Sequence, residues 1–123
     1  MKPKKRILII DDEEDCCLLM STFFQRKNYD VFIAHTLLEG IALLNNHEPD
    51  IVFLDNNLPD GLGWLYATQI KGQFPNTRVH LMSAYNNDYI EVAPREEFNI
   101  WEKPISMSKL EDFLNNGQKT EAA

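Results

Sequence analysis

Two short runs of large apolar residues, Ile7-Leu8-Ile9-Ile10 and Ile51-Val52-Phe53-Leu54, stop abruptly at acids. Neither alternates with polar residues, so each reads as a strand buried on both faces, as in a parallel sheet covered by helices. Such a strand delivers its last residue to the carboxyl edge of the sheet, where open α/β sheets bind ligands. Asp55 holds that place after the second run, and the turn-forming Asn56-Asn57-Leu58-Pro59-Asp60-Gly61 follows it. Asp55 is therefore the residue at which chemistry is expected, with a cap on the following loop as the alternative. After the first run come Asp11-Asp12-Glu13-Glu14-Asp15. One or two acids suit the amino end of a helix, where the macrodipole and free N–H groups favour negative charge, but five in succession exceed what capping needs.

The rest of the chain fits the same alternation. Cys16, Leu19, Met20, Phe23 and Phe24 have the spacing of a helix with one buried face over residues 14–27. Val31-Phe32-Ile33-Ala34 is a strand. The helix after it turns Leu37, Leu38, Ile41, Leu43 and Leu44 inward, and Asn45-Asn46-His47-Glu48-Pro49 ends it. Trp64, Leu65, Ala67, Ile70 and Phe74 mark a third helix, interrupted by Gly72 and stopped by Pro75. Val79-His80-Leu81-Met82 is a strand closing on Ser83, and Ile100-Trp101-Glu102 a short one ending at Lys103-Pro104. Between them, Tyr89, Ile90, Val92 and Ala93 could face a core, but Pro94 breaks or kinks any helix through that segment. The last helix, over residues 106–115, begins with a Ser106 cap and carries Leu110, Phe113 and Leu114 inward; Gly117 stops it. The expected fold is thus α/β, a doubly wound five-stranded parallel sheet flanked by five helices, the fourth short or irregular. It forms one domain over residues 1–123, with a core over about 5–116 and a tail over 117–123.

Composition narrows the function. A chain of 123 residues is one ordinary domain. Its net charge of −7 disfavours non-specific binding to nucleic acid or anionic membrane. Lys2, Lys4, Lys5 and Arg6 could pass for the start of a signal peptide, but the apolar run after them is too short and ends in acids. No segment approaches membrane-spanning length. Cys16 and Cys17 are adjacent, without metal-ligand spacing, and read as reduced core thiols; a cytoplasmic location follows. His35, His47 and His80 share no ligand spacing. Trp64 reads as core, and Gly61 and Gly63 as turn residues.

The strand-end residues Asp11, Asp12, Asp55, Ser83 and Lys103 converge on one sheet edge in this fold. Three carboxylates brought together repel one another unless a cation joins them. All-oxygen ligation suits Mg²⁺, which keeps much of its water and takes a phosphate oxygen. Asp55 could then attack phosphorus to give an aspartyl phosphate, with Mg²⁺ and Lys103 neutralising the equatorial oxygens and Ser83 donating a hydrogen bond.

Asp11-Asp12-Glu13, the Leu54-Asp55-x-x-Leu58-Pro59-Asp60-Gly61 block, Met82-Ser83-Ala84 and Lys103-Pro104, in this order after successive strands, resemble the receiver domain of the two-component response regulators over about residues 5–116. The resemblance implies a flavodoxin-like receiver fold with Asp55 as phosphoacceptor. It implies that Asp12 is a direct Mg²⁺ ligand, Asp11 acts largely through metal-bound water and Asn57 offers a backbone carbonyl. Ser83 and Lys103 would contact the phosphoryl group, and the peptide before Pro104 would be cis. The implied donor is a histidine kinase or histidine phosphotransfer protein, and the output a protein contact with a downstream target, with no nucleic acid and no membrane. A free-standing receiver and one cut from a hybrid histidine kinase both fit. The domain promotes only its own phosphorylation and dephosphorylation.

Two features depart from the family pattern. The interval from Ser83 to Lys103 is short and contains Pro94, and Ile100 stands where the family carries an aromatic switch residue. Trp101 is next to it, but strand side chains alternate faces, so it cannot take over that position. Among rivals, a phosphohydrolase of the haloacid-dehalogenase-like class shares an aspartyl nucleophile and Mg²⁺. It needs a second acid where this chain has Asn57, and a cap domain for which there is no room. A flavodoxin-like electron carrier would place hydroxyls and glycine after the first strand, whereas Asp11 to Asp15 would repel a cofactor phosphate. A pure interaction module would bind no Mg²⁺ and accept no phosphoryl group.

Overall fold

The computed structural model describes residues 3–84 and 98–117. Its order is β1 (Arg6–Ile10), α1 (Glu14–Arg26), β2 (Asp30–Ala34), α2 (Leu37–His47), β3 (Ile51–Asp55), β4 (Asn57–Leu58), β5 (Gly61–Leu62), a 3₁₀ turn (Gly63–Tyr66), α3 (Ala67–Gln73), β6 (Arg78–Ser83), β7 (Asn99–Glu102) and α4 (Met107–Asp112). The five main strands form one parallel sheet in the order β2-β1-β3-β6-β7, the doubly wound arrangement expected. The strand order reverses at β1, which pairs with β2 on one side and β3 on the other. Ligand crevices of open α/β sheets open at such reversals, here between the carboxyl ends of β1 and β3.

Each face of the sheet has its own apolar layer. On one, Leu8, Ile10, Val52, Leu54 and Leu81 pack with α2 and α3 residues such as Leu44 and Ile70. On the other, Ile7, Ile9, Ile51 and Phe53 meet Met20 and Phe24 of α1 and Leu110 of α4. Every residue of β3 is buried, which explains its unbroken apolar run. Alternation on β7 places Ile100 against the first layer and Trp101 against the second, so the two side chains belong to different faces.

Several details differ from the sequence reading. Leu38, expected inside, is 75% exposed, and Leu65, one of the residues that mark the third helix, is 59% exposed. Helix α2 buries the Leu37 and Leu44 stripe, with Gly40 set against Ile10. Leu38 lies one step, about 100° of rotation, from Leu37. Leu65 falls in the 3₁₀ turn that replaces the first turn of the third helix, where α periodicity does not apply. Leu19 is likewise part-exposed, at the rim of the cavity described below. The small antiparallel hairpin of β4 and β5 was not foreseen, and the last helix ends in a π turn over Phe113–Gly117. The Ser106 cap is present, its side chain accepting from the Lys109 N–H. The fourth of the five expected helices, with Pro94, lies outside the described residues, as does the tail beyond Gly117. Among the described residues no helix is long and apolar enough to cross a membrane.

The second layer holds a buried histidine. His80 stacks on Phe53, meets Phe113 edge-on, and accepts a hydrogen bond at Nδ1 from Trp101 Nε1 at 3.3 Å. Burial, with the nearby Arg78 charge, pushes its pKa down to about 4. The folded state thus binds this proton less readily than the unfolded chain, and stability is lost as pH falls from about 6.5 toward 4. His80→Phe, which removes the titrating ring, is expected to lose about 2 kcal/mol less than wild type between pH 7 and pH 5, from the roughly 1.5 pH units of this window that the step covers. Urea melts at the two pH values check this; equal losses in both proteins would refute it.

Candidate phosphoacceptor site

The site is built from the ends of β1, β3, β6 and β7. Asp11 follows β1 and is fully buried, held by its N–H on the Ala34 carbonyl. Its carboxylate accepts the Glu13 N–H at 3.0 Å, and its carbonyl faces His35 Nδ1 at 3.0 Å. Asp12 is exposed beside it. Asp55 ends β3, nearly buried, with one face on an open cavity of about 780 Å³. Asp12, Asp55, Asn57 and Lys103 line its polar side, and Leu19 and Ile105 its apolar side.

Carboxylate oxygens of Asp11, Asp12 and Asp55 all lie within 4.8 Å of one another. The Lys103 ammonium reaches Asp11 Oδ2 at 2.8 Å, Glu13 Oε1 at 3.0 Å and Asp55 Oδ1 at 3.3 Å. One positive charge thus faces four acids. Burial, then the negative charge of Asp11, pushes the Asp55 pKa up to about 6 against the opposing pull of Lys103. Partial burial alone would lower the Lys103 pKa, but hydrogen bonds to Asp11 and Glu13 and the charge of Asp55 outweigh it and hold the ammonium well above its ordinary range. Burial, followed by Asp11, pushes both Cys16 and Cys17 up to about 12, so Cys16 remains a thiol despite lying near Asp11 and Glu13. A protonated thiol is a poor metal ligand, so the usable donors are oxygens, and this set fits Mg²⁺.

The backbone around Asp55 is tightly specified. Gly63 approaches so closely that a Cβ there would collide with the Asp55 carbonyl oxygen. Its N–H donates to the Asn56 carbonyl at 2.8 Å, and Asn56 Oδ1 accepts the Trp64 N–H at 3.1 Å. The Trp64 indole, buried beneath, donates from Nε1 to both the Leu54 carbonyl at 3.2 Å and the Met82 carbonyl at 3.1 Å. It thereby joins the strand ends that carry Asp55 and Ser83. The Ser83 hydroxyl is buried and has no hydrogen-bond partner among the described residues. Its carbonyl accepts the Lys103 N–H at 3.0 Å, and the Lys103–Pro104 peptide is cis.

The structure therefore gathers Asp11, Asp12, Asp55 and Lys103 into one cluster, with Asn57 on the same cavity and Ser83 one residue beyond Met82, which lies opposite Asp55 on the neighbouring strand. Sequence reasoning missed Glu13 as a partner of Lys103, since the two are 90 positions apart. It also missed Asp60, whose carboxylate reaches α2.

Comparison with known proteins agrees with this geometry. The model of the response regulator receiver domain family matches residues 7–115. No curated protein is similar enough in sequence to count as a relative. Among solved structures, a two-component response regulator from Clostridium difficile superposes with a TM-score of 0.85 at 24% identity, covering 98% of this chain and 100% of that one. A response regulator receiver domain protein from Clostridium thermocellum gives a TM-score of 0.79 at 22% identity, over 97% and 99% of the two chains. NtrX from Brucella abortus, solved in complex with ADP, gives 0.79 at 27% identity over 96% of this chain but 27% of its own. With the family model spanning nearly the whole fold, the chain belongs to the response regulator receiver domain family of two-component systems.

Proposed function

We propose that the protein accepts a phosphoryl group on Asp55 from a histidine kinase or histidine phosphotransfer protein, in a Mg²⁺-dependent reaction, and passes the signal on by contact with a downstream protein. One observation carries this reading: the Asp55 carboxylate faces an open cavity at the sheet edge, with Lys103 Nζ at 3.3 Å and two further carboxylates within 4.8 Å. In the transfer a carboxylate oxygen of Asp55 attacks phosphorus, the P–O bond forms, and the P–N bond to the donor imidazole breaks. Bound Mg²⁺ would supply charge neutralisation at the phosphoryl oxygens, its ligands being the Asp12 and Asp55 carboxylates and the Asn57 backbone carbonyl, with Asp11 acting largely through metal-bound water.

The chain's own residues do the rest. Lys103, already aimed at Asp55, transfers part of its pairing from Asp11 and Glu13 to the arriving oxygens. The Ser83 hydroxyl, buried without a partner among the described residues, gains an acceptor. The same chemistry serves a free-standing receiver or one carried in a longer polypeptide, as the partial coverage of NtrX illustrates. The purified protein is expected to gain one phosphoryl mass from a small phosphodonor only with Mg²⁺. Intact-mass measurement showing equal labelling in excess chelator would overturn the proposal.

A further inference from the structure

We infer that Asp60 is a positioning residue, which holds the hairpin carrying the Asn57 carbonyl in place by fastening it to the start of α2. The inference rests on the proposed role of that carbonyl as a metal ligand. The hairpin pairs Asn57 with Leu62 and Leu58 with Gly61. Two residue pairs cannot hold such a unit in water by themselves, so its position must come from elsewhere. Its inner side is fixed by Asn56, through the Gly63 and Trp64 N–H groups.

Its outer side is fixed by Asp60. Oδ1 accepts the Leu37 N–H at 2.8 Å and Oδ2 the Leu38 N–H at 2.9 Å, contacts that cross 23 and 22 residues of chain. Both N–H groups belong to the first turn of α2, which has no intrahelical partners for them and attracts negative charge. The two bonds hold the Asp60 pKa below the usual carboxylate range, consistent with a carboxylate bound in its charged form. Helix α2 is also capped locally. Thr36 Oγ1 accepts the Glu39 N–H at 3.1 Å, and Glu39 Oε1 accepts the His35 N–H at 2.9 Å. What Asp60 adds is thus a long-range tie between helix and hairpin. Outer contacts of this kind orient the groups that ligate a metal, and their loss characteristically costs about 10-fold or more in metal affinity.

Thr36 supplies the control, because Thr36→Ala and Asp60→Ala each remove a cap from α2 while only the second frees the hairpin. Both variants are expected to lower the urea midpoint. By calorimetric titration of Mg²⁺, Asp60→Ala is expected to bind about 10-fold more weakly than wild type, and Thr36→Ala within about twofold of it. Asp60→Asn, which keeps an acceptor oxygen, should recover part of the loss. In chelator, the amide NMR shifts of residues 57–62 should move in Asp60→Ala and stay in place in Thr36→Ala. Unchanged Mg²⁺ affinity in Asp60→Ala, or equal losses in the two alanine variants, would overturn the inference. A wild-type protein that binds no Mg²⁺ would overturn the reading of the site itself. The metal-free shifts would then decide alone whether Asp60 fixes the hairpin.

Discussion

In metal-free buffer above pH 6, Asp55→Asn is expected to be more stable than wild type, and with phosphodonor and Mg²⁺ it is expected to take up no phosphoryl group at all. The two effects have one cause. The Asp55 carboxylate is buried beside Asp11, and its pKa is pushed from 3.8 up to about 6. A carboxyl group whose folded pKa exceeds its unfolded value favours folding in its protonated form, so its own contribution to stability falls as pH rises from about 4 through 6 and stays reduced above that. The gap of roughly two pKa units corresponds to about 3 kcal/mol. The amide of Asn has the same shape and no charge, and Lys103 keeps its other partners Asp11 and Glu13. Because His80 titrates in both proteins with the opposite slope, urea melts from pH 4 to 8 in chelator should be read as a difference, the variant gaining about 3 kcal/mol on wild type as pH rises from 4 through 6. Intact mass after incubation with phosphodonor and Mg²⁺ reads the functional half. A variant no more stable than wild type at pH 7.5 would show that the carboxylate is not held against its preference, and a labelled variant would remove Asp55 from the reaction.

Lys103→Ala should do the opposite to stability. Its ammonium is largely enclosed, and removing it leaves the fully buried Asp11 and the nearly buried Asp55 facing each other without a cation. Breaking a buried ion pair from one side costs about 3 to 5 kcal/mol, chiefly for the charge left behind. Mg²⁺ should restore much of this loss, since it brings positive charge to the same carboxylates. Phosphoryl uptake should remain impaired with the metal bound, because the lysine charge acts on the phosphoryl oxygens. Asp12→Ala should instead weaken Mg²⁺ binding itself. Melting curves with and without Mg²⁺, beside a metal titration, separate the two variants. A Lys103→Ala protein that loses Mg²⁺ affinity as severely as Asp12→Ala would contradict this division of tasks.

What could be read from the sequence, and what could not, follows from the range of the interactions involved. Strands β1 and β3 were legible because burial on both faces leaves an uninterrupted apolar run, β6 because its run is broken only by His80, and the polar residue ending each run marks the sheet edge. Asp11, Asp12, Asp55 and Ser83 could be grouped for that reason, and Lys103 as the polar residue after the short run of β7. The exposure of Leu38 was not legible, since hydrophobicity cannot tell a helix stripe from its neighbour when the helix start is uncertain by one residue, nor was that of Leu65, because a 3₁₀ turn takes the place of the first α turn there. The β4–β5 hairpin has two-residue strands, too short for any periodicity to register. Glu13 and Asp60 act on partners far along the chain, and no local pattern announces such a contact. His80 looked like any strand residue, and only packing shows it stacked on Phe53 and bonded to Trp101.

The indole of Trp64 limits how this receiver can respond. Its single N–H is shared by the carbonyls of Leu54 and Met82, one residue before Asp55 and one before Ser83. Sliding β6 along β3, or parting the two at their carboxyl ends, would break that shared bond where the indole is buried, and an unmade hydrogen bond there costs about 1 to 3 kcal/mol. Parting the two strand ends therefore carries that cost, which moving them together avoids. Turning the Ser83 hydroxyl about a single torsion, a step of about 120° between staggered positions, leaves the shared bond intact.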